Sequence, residues 1–251
     1  MRFDGDLGPV SPALRERLAP GGTLRAGINL SNFLLVSART DDGGPAGVSP
    51  DMARAVAEHL GAAVRYVPYA SPALLADAAM RDEWDIGLIG AEPQRAQTIA
   101  FTPAYAEIEA TYLVPAGSAL AGIGDVDAPC VRIAVTGKTA YGLWLDRNIQ
   151  QAELVATTTM DETLADFRDR KLEALAGLRA RLISDVVRIP GSRILDGRFM
   201  TVQQAIGIAR NAKPETDPAL AWLTRFIAAA RTSGFVADLI RKHGVEGLSV
   251  A

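Results

Sequence analysis

Arg95 follows an apolar run and a tight turn within residues 83–105, EWDIGLIGAEPQRAQTIAFTPAY, and that order suits the capture of a small anion. Ile86, Leu88 and Ile89 predict a short buried strand after Trp84 and Asp85. Gly90 and Ala91 are expected to leave backbone amides uncovered just before Glu92 and Pro93 start a helical turn. Unpaired amides at a helix start favour negative charge, and a guanidinium one turn on offers a carboxylate two parallel hydrogen bonds. Glu92, three residues before Arg95, can favour the helix start by its charge, pair with the arginine, or reach a ligand amine.

A second group of candidates is Thr136-Gly137-Lys138-Thr139, which ends one predicted strand and opens a helix in the manner of a phosphate loop. That motif needs a glycine five residues before Gly137, and Arg132 stands there. What remains is a helix start with free amides and the hydroxyl of Thr139, again suited to an anion. Asn29, Asn32 and Phe33 follow the first predicted strand, at the carboxyl end of a sheet where open α/β folds bind ligands. For Phe33, core packing is the competing reading.

No Gly-x-Ser-x-Gly elbow, His-Glu-x-x-His, Cys-His arrangement or dinucleotide fingerprint is present, so no catalytic residue and no cofactor is expected. The single cysteine, Cys130, excludes an intrachain disulfide and, at the edge of the run VRIAV, reads as a small buried thiol. His59 and His243 are too far apart for a metal cluster by local spacing, so no metal is expected. Both fall late in predicted helices, where a solvated position near the helix C-terminus is expected.

The elements that must hold these residues alternate. Residues 24–29 alternate apolar and polar; Ser49-Pro50 reads as an N-cap and first-turn proline for a helix with Met52, Val56 and Leu60 on one face, ended by Gly61. A strand at 64–67, a helix opened by Ser71-Pro72 and the strand before Arg95 complete a parallel unit. A second cycle runs through strands at 131–135 and 153–156, with helices from Thr139 and Asp161. Long strands at 105–114 and 200–208 connect the two cycles. Asp217-Pro218 caps a helix with Leu220, Leu223, Ile227 and Ala230 on one face, and Gly234 breaks it before a last helix ending at Gly244. The fold class expected is α/β, two lobes joined by two crossing hinge strands, with lobe 1 at 1–109 and 205–251 and lobe 2 at 110–204.

Over 251 residues the chain is 49% hydrophobic and 22% charged with a net charge of −3, a globular composition without the basic footprint of a nucleic-acid binder. The first 22 residues hold acids and prolines where a secretion signal needs an apolar run, and no stretch reaches the roughly 18 apolar residues of a membrane span. Two readings stay open: work in the cytosol, which an initiator-like Met1 favours, or a chain numbered without its leader.

Residues 83–105 resemble the strand, arginine and Phe-Ser/Thr-x-x-Tyr signature of family 3 extracellular solute-binding proteins, the receptors that feed amino acids to ABC importers. Thr23 to Gly27 is similar to that family's first strand, Gly47 to Ala53 with Leu60-Gly61 to its first helix, and Ser233-Gly234-Phe235 with His243-Gly244 to its closing helices. The resemblance implies a monomeric, periplasmic, non-enzymatic protein of the periplasmic-binding-protein fold that closes two lobes on a small ligand and presents it to an ABC permease. It implies that Arg95 binds the ligand carboxylate, that the loop at 136–139 grips it from the second lobe, and that Asn29, Asn32 and Phe33 cover the ligand side chain.

One position departs from the family. Where relatives that bind zwitterionic amino acids carry an aspartate for the α-amino group, this chain has Leu178, followed by Arg179 and then Arg181. A buried ammonium without an acceptor is strongly disfavoured. The site is therefore set for a small organic carboxylate, a dicarboxylate or an aromatic acid resting on Phe33, or else it recruits Glu92, Glu107 or Glu109 for an amino-acid-like ligand. Two alternatives share the scaffold: an enzyme resembling cyclohexadienyl dehydratase, with a burial-raised Glu107 or Glu109 as its acid, and a stand-alone ligand-sensing module.

Overall fold

Leu24, Ala26 and Ile28 are all fully buried, and this alternation makes β1 (Thr23–Asn29), which follows a short helix, α1 (Pro12–Leu18). The computed structural model describes residues 3–251, so Met1 lies outside the described residues. A two-residue ladder of β2 (Ala38–Arg39) and β3 (Pro45–Ala46) leads to α2 (Val48–Leu60), β4 (Ala63–Tyr69), α3 (Pro72–Asp77), β5 (Ile86–Gly90) and β6 (Ile99–Phe101). The strands β4 and β5 flank β1 in parallel, with Ile28 opposite both Pro68 and Leu88. All five residues of β5 are buried, as a parallel strand covered on both faces requires.

Helix ends follow local chemistry in most places. Ser71 caps α3 by accepting from Leu74 N–H at 3.3 Å, and Gly61 ends α2 at φ 63°. The start of α2 is a correction. Gly47 is its N-cap, at φ 150°, and Ser49 and Pro50 lie inside the helix. A Cβ at Gly47 would meet the Leu35 carbonyl oxygen at 2.3 Å, so close passage of the preceding loop decides where the helix begins. The Ser49 hydroxyl is buried instead against the Tyr105 hydroxyl, 2.8 Å away.

The chain divides into two compact units, Met1–Glu107 with Gln203–Ala251, and Ile108–Val202. In the second unit the sheet order is β7-β10-β8-β9, built from β7 (Ala106–Val114), β8 (Arg132–Thr136), β9 (Glu153–Thr157) and β10 (Ala174–Leu178). Helix α4 (Ala140–Asn148) follows β8, and α5 (Met160–Asp169) follows β9 behind a capping box of Thr159 and Glu162. Helix α6 (Arg179–Val186) follows β10, and β11 (Arg193–Ile194) pairs with β7. Leu113, Ala134, Val155, Leu164, Phe167 and Leu175 form the core of this unit.

The return strand β12 (Met200–Ala209) runs antiparallel to β5, with Gln204 opposite Gly90, so β7 and β12 each carry the chain from one unit into the other. Asp217 then caps α7 (Pro218–Thr232), accepting from Ala219 N–H at 2.8 Å. Its buried face is Ala219, Trp222, Leu223, Phe226, Ile227 and Ala230, with Leu220 only partly covered. Gly234, at φ 80°, turns the chain into α8 (Phe235–Lys242), and β13 (Ser249–Val250) pairs with the start of β7. No helix among the described residues is long and apolar enough to cross a membrane.

Three side chains expected from local pattern alone sit elsewhere. Cys130 is exposed, at φ 68° in a tight turn before β8, and is not a buried thiol. His59 is not merely solvated: Phe3 packs on it at 4.9 Å, and its two ring nitrogens lie 3.1 Å from the Ala55 carbonyl and 3.2 Å from the Gly5 carbonyl. His243 also packs inward, its Nε2 2.9 Å from Asp51 Oδ2.

Asp51, 7% exposed in the first turn of α2, receives Lys242 Nζ at 2.7 Å and a bond from Arg54 as well as His243, and so ties α2 to the end of α8. Burial works to raise the Asp51 carboxyl, but the hydrogen bonds from Lys242 and His243 outweigh it and hold the group below the usual carboxylate range. Its contribution is therefore fully present above the unfolded value near 3.9 and is lost as pH falls through the folded one. Asp51→Asn is expected to cost about 2 kcal/mol at pH 7 in urea unfolding, with the gap to the wild type narrowing as pH falls below the unfolded value near 3.9. Equal stability of the two proteins at pH 7 would remove the clasp from the account.

Candidate functional site

In the first unit, the loops after β1 and β5 leave neighbouring parallel strands at their carboxyl ends, which brings Asn29, Asn32 and Phe33 to the same sheet edge as Gly90, Glu92 and Arg95. Arg95 opens a single 3₁₀ turn, Arg95–Gln97, and is 5% exposed. One guanidinium nitrogen, Nη1, donates to the Gly90 carbonyl at 2.7 Å, which fixes the side chain against the end of β5. Burial pushes the guanidinium down to about 10, and the nearby Glu92 charge works in the opposite direction.

The amides expected to be uncovered here are occupied. Ala91 N–H donates to the Gln203 carbonyl at 2.7 Å, and the amides of Gln94 and Arg95 donate to Glu92 Oε2 at 2.8 and 3.3 Å. Glu92, itself 5% exposed, is thus the anion of this turn. The positive character of the loop rests on the Arg95 side chain and not on its backbone. Phe33 is 39% exposed, which removes the core-packing alternative for it. Asn29 Oδ1 accepts from the Ser31 hydroxyl at 2.8 Å, and Asn32 Oδ1 from Leu34 N–H at 3.3 Å, so both amides shape the loop that presents Phe33.

In the second unit, β8 and β10 are neighbouring parallel strands, and their carboxyl ends carry the turn at 136–139 and Leu178. Lys138 is exposed, at φ 57°, and Thr139 caps α4. The Thr139 hydroxyl is committed within the turn: it donates to the Thr136 carbonyl at 2.8 Å and accepts from Gly142 N–H at 3.0 Å. Gly137 N–H donates to the Thr157 carbonyl at 2.9 Å. A free Thr139 hydroxyl is therefore corrected to a capping one. Leu178, 6% exposed, is the N-cap of α6 and forms no side-chain cap bond.

The arginines after Leu178 do not add uncompensated charge. Arg179 Nε donates to Glu109 Oε2 at 2.8 Å, and Arg181 Nε lies 2.9 Å from Asp185 Oδ2, with Asp161 on its Nη2 at 2.6 Å. Arg198 takes the other Glu109 oxygen at 2.7 Å. The Arg198 and Arg179 guanidiniums hold the Glu109 carboxyl below the usual range, the opposite of a burial-raised acid. Glu107 Oε1, in the first unit, accepts from Gln203 Nε2 at 2.8 Å.

Several of these partners have no local signal. Gln203 serves both Glu107 and the Ala91 amide, yet nothing in its neighbourhood marks it. Thr163, whose hydroxyl lies 2.7 Å from that of Thr136, carried a weak signal: it falls four residues before Phe167, on the buried stripe of α5, where an apolar residue would be ordinary.

The family described as bacterial extracellular solute-binding proteins, family 3, matches residues 24–246. No curated protein matches the chain. Among solved structures, the chain is similar to a solute receptor for L-cysteine of Neisseria gonorrhoeae, at 18% identity over 95% of this chain and 98% of that one, with a TM-score of 0.72. An amino acid ABC transporter substrate-binding protein of Streptococcus pneumoniae bound to L-arginine gives 17% identity, 92% and 99% coverage, and a TM-score of 0.71. An ancestral amino-acid-binding protein, a precursor of cyclohexadienyl dehydratase, gives 21% identity, 92% and 98% coverage, and a TM-score of 0.69. At these identities the likeness establishes the fold, two-lobed and periplasmic-binding-protein-like, and the match over residues 24–246 establishes that the chain belongs to family 3 of the bacterial extracellular solute-binding proteins.

Proposed function

We propose that the chain is the solute-binding component of an ABC-type importer, working in the periplasm as a monomer, and that it takes a small organic carboxylate. The observation that carries this reading is Arg95, a guanidinium at 5% exposure, fixed at the carboxyl end of β5 on the edge that also presents Phe33. Burial disfavours its charge, and a ligand carboxylate beside it would restore what burial removes. The turn at 136–139, with Lys138, is the proposed contact in the second unit.

Amino acids are named as ligands of the similar L-arginine and L-cysteine proteins, and this keeps amino-acid-like molecules within the class. The residues favour ligands without a free amine. Leu178 supplies no acceptor, and Glu109 is engaged by two arginines. The same engagement speaks against Glu109 as a dehydratase-like acid, because a carboxyl held in its charged form is a poor proton donor near neutral pH.

Three outcomes are expected. In a thermal-shift screen, succinate and 3-phenylpropanoate should stabilise the protein more than L-aspartate and L-phenylalanine; stabilisation by the amino acids alone would reverse the ligand preference. Arg95→Ala should abolish most binding, a loss of roughly 2 to 5 kcal/mol by calorimetry, while leaving a cooperative unfolding transition. Binding that survives this change would reject Arg95 as the anchor. Glu109→Gln should lower stability by less than about 1 kcal/mol, given the partial exposure of the pair, and the effect should shrink in high salt. Were Glu109 a protonated acid, glutamine would mimic it and stability would not move; turnover of prephenate or arogenate would then be looked for and would replace the binding reading.

A further inference from the structure

The turn at 136–139 is held from beneath by a chain of hydroxyls that the binding residues themselves do not explain. Thr163, 1% exposed in the first turn of α5, donates its only hydroxyl hydrogen to the Thr159 carbonyl at 2.8 Å, since a carbonyl can only accept. Thr136 Oγ1 lies 2.7 Å from Thr163 Oγ1, and Thr157 Oγ1 lies 2.6 Å from it. With the Thr163 hydrogen already placed, Thr136 must donate to it, while Thr157 Oγ1, which also lies 3.2 Å from the Thr159 carbonyl, has its hydrogen available to either oxygen. Thr163 thus gathers the last residues of two adjacent strands, β8 and β9, onto one oxygen. A small cavity borders these hydroxyls, lined by Thr136, Tyr141, Thr163 and Asp185 on its polar part and by Leu175 and Leu182 of the core on its apolar part.

The direction of these bonds matters for the turn. Thr136 is fixed at its side chain by Thr163, and its carbonyl is fixed by Thr139, whose hydroxyl in turn holds Gly142 N–H at the start of α4. Four residues in series, Thr163, Thr136, Thr139 and Gly142, set where the first amides of α4 lie. We propose that Thr163 is a positioning residue for the turn at 136–139, an inference that rests on reading this turn as a ligand contact. Thr163 itself is buried behind the turn and touches no ligand.

The experiment separates positioning from general stability. In Thr163→Val, which keeps the shape and removes the acceptor, amide exchange at Gly142 and Leu143 should be at least tenfold faster, and the Kd for succinate or 3-phenylpropanoate about tenfold weaker. Thr163→Ser should restore both. Thr157→Val removes the other hydroxyl but leaves the bond from Thr136 to Thr163, so it should lower the Tm without changing exchange at Gly142 or the Kd. Should Thr163→Val not fold, Thr136→Val cuts the same bond from its other end and must give the same exchange pattern. Unchanged exchange in Thr163→Val, or equal acceleration in Thr157→Val, overturns the proposal. Failure of both acids to bind the wild-type chain overturns the ligand reading instead, and amide exchange alone then decides the role of Thr163.

Discussion

A guanidinium at 5% exposure must be met by negative charge and carbonyl oxygen or it will not stay in place, and the first unit is arranged around that requirement. The end of β5 supplies the Gly90 carbonyl, and the turn that follows supplies Glu92 within the same few residues. Glu92 also gathers the amides of Gln94 and Arg95, so one carboxylate stabilises the turn and lies beside the cation it introduces. The return strand completes the arrangement, because the Gln203 carbonyl takes the Ala91 amide and Gln204 pairs with Gly90. The position of Arg95 is thus fixed by the sheet, and its chemistry by burial.

The second unit solves a different problem. Its charged side chains near Leu178 are paired among themselves, Arg179 and Arg198 on Glu109, and Arg181 on Asp185 and Asp161. Its hydroxyls are likewise turned inward, Thr139 to the Thr136 carbonyl and Thr136 to Thr163. What remains at the turn is the ordered start of α4 and the exposed Lys138. The two units therefore differ in kind: one holds a buried side-chain cation, and the other a helix start ordered by its own hydroxyls.

Legibility in the sequence divides along the same line, between short-range and long-range causes. Strands and caps were readable because a few neighbouring residues decide them: Ser71, Thr139 and Asp217 each accept an amide two or three residues ahead. The start of α2 was not, because Gly47 is chosen by the passing Leu35 carbonyl and not by Ser49-Pro50. The inward roles of His59 and His243 depend on Gly5 and on Asp51, which lie 54 and 192 positions away. Cys130 followed the same rule in reverse, since the apolar run after it begins only where the chain has left a left-handed turn. At the site, Arg95 was legible as a type at a spacing, whereas the capture of the neighbouring amides by Glu92 and Gln203 was not.

That difference bears on ligand class. An argument from charge alone would count Arg95, Lys138, Arg179 and Arg181 together and expect a multiply charged anion. Pairing changes the count: Arg179 and Arg181 each face at least one carboxylate, and Arg95 has Glu92 beside it. Long-range attraction for anions is correspondingly weaker, in keeping with a net charge of −3 over the whole chain. On the binding role proposed above, selectivity comes at short range, from hydrogen-bond geometry at a desolvated guanidinium and from the apolar surface of Phe33 on the same sheet edge. A carboxylate there would share the one desolvated guanidinium with Glu92, so hydrogen-bond geometry at Arg95, and not an excess of positive charge, would set the proposed preference.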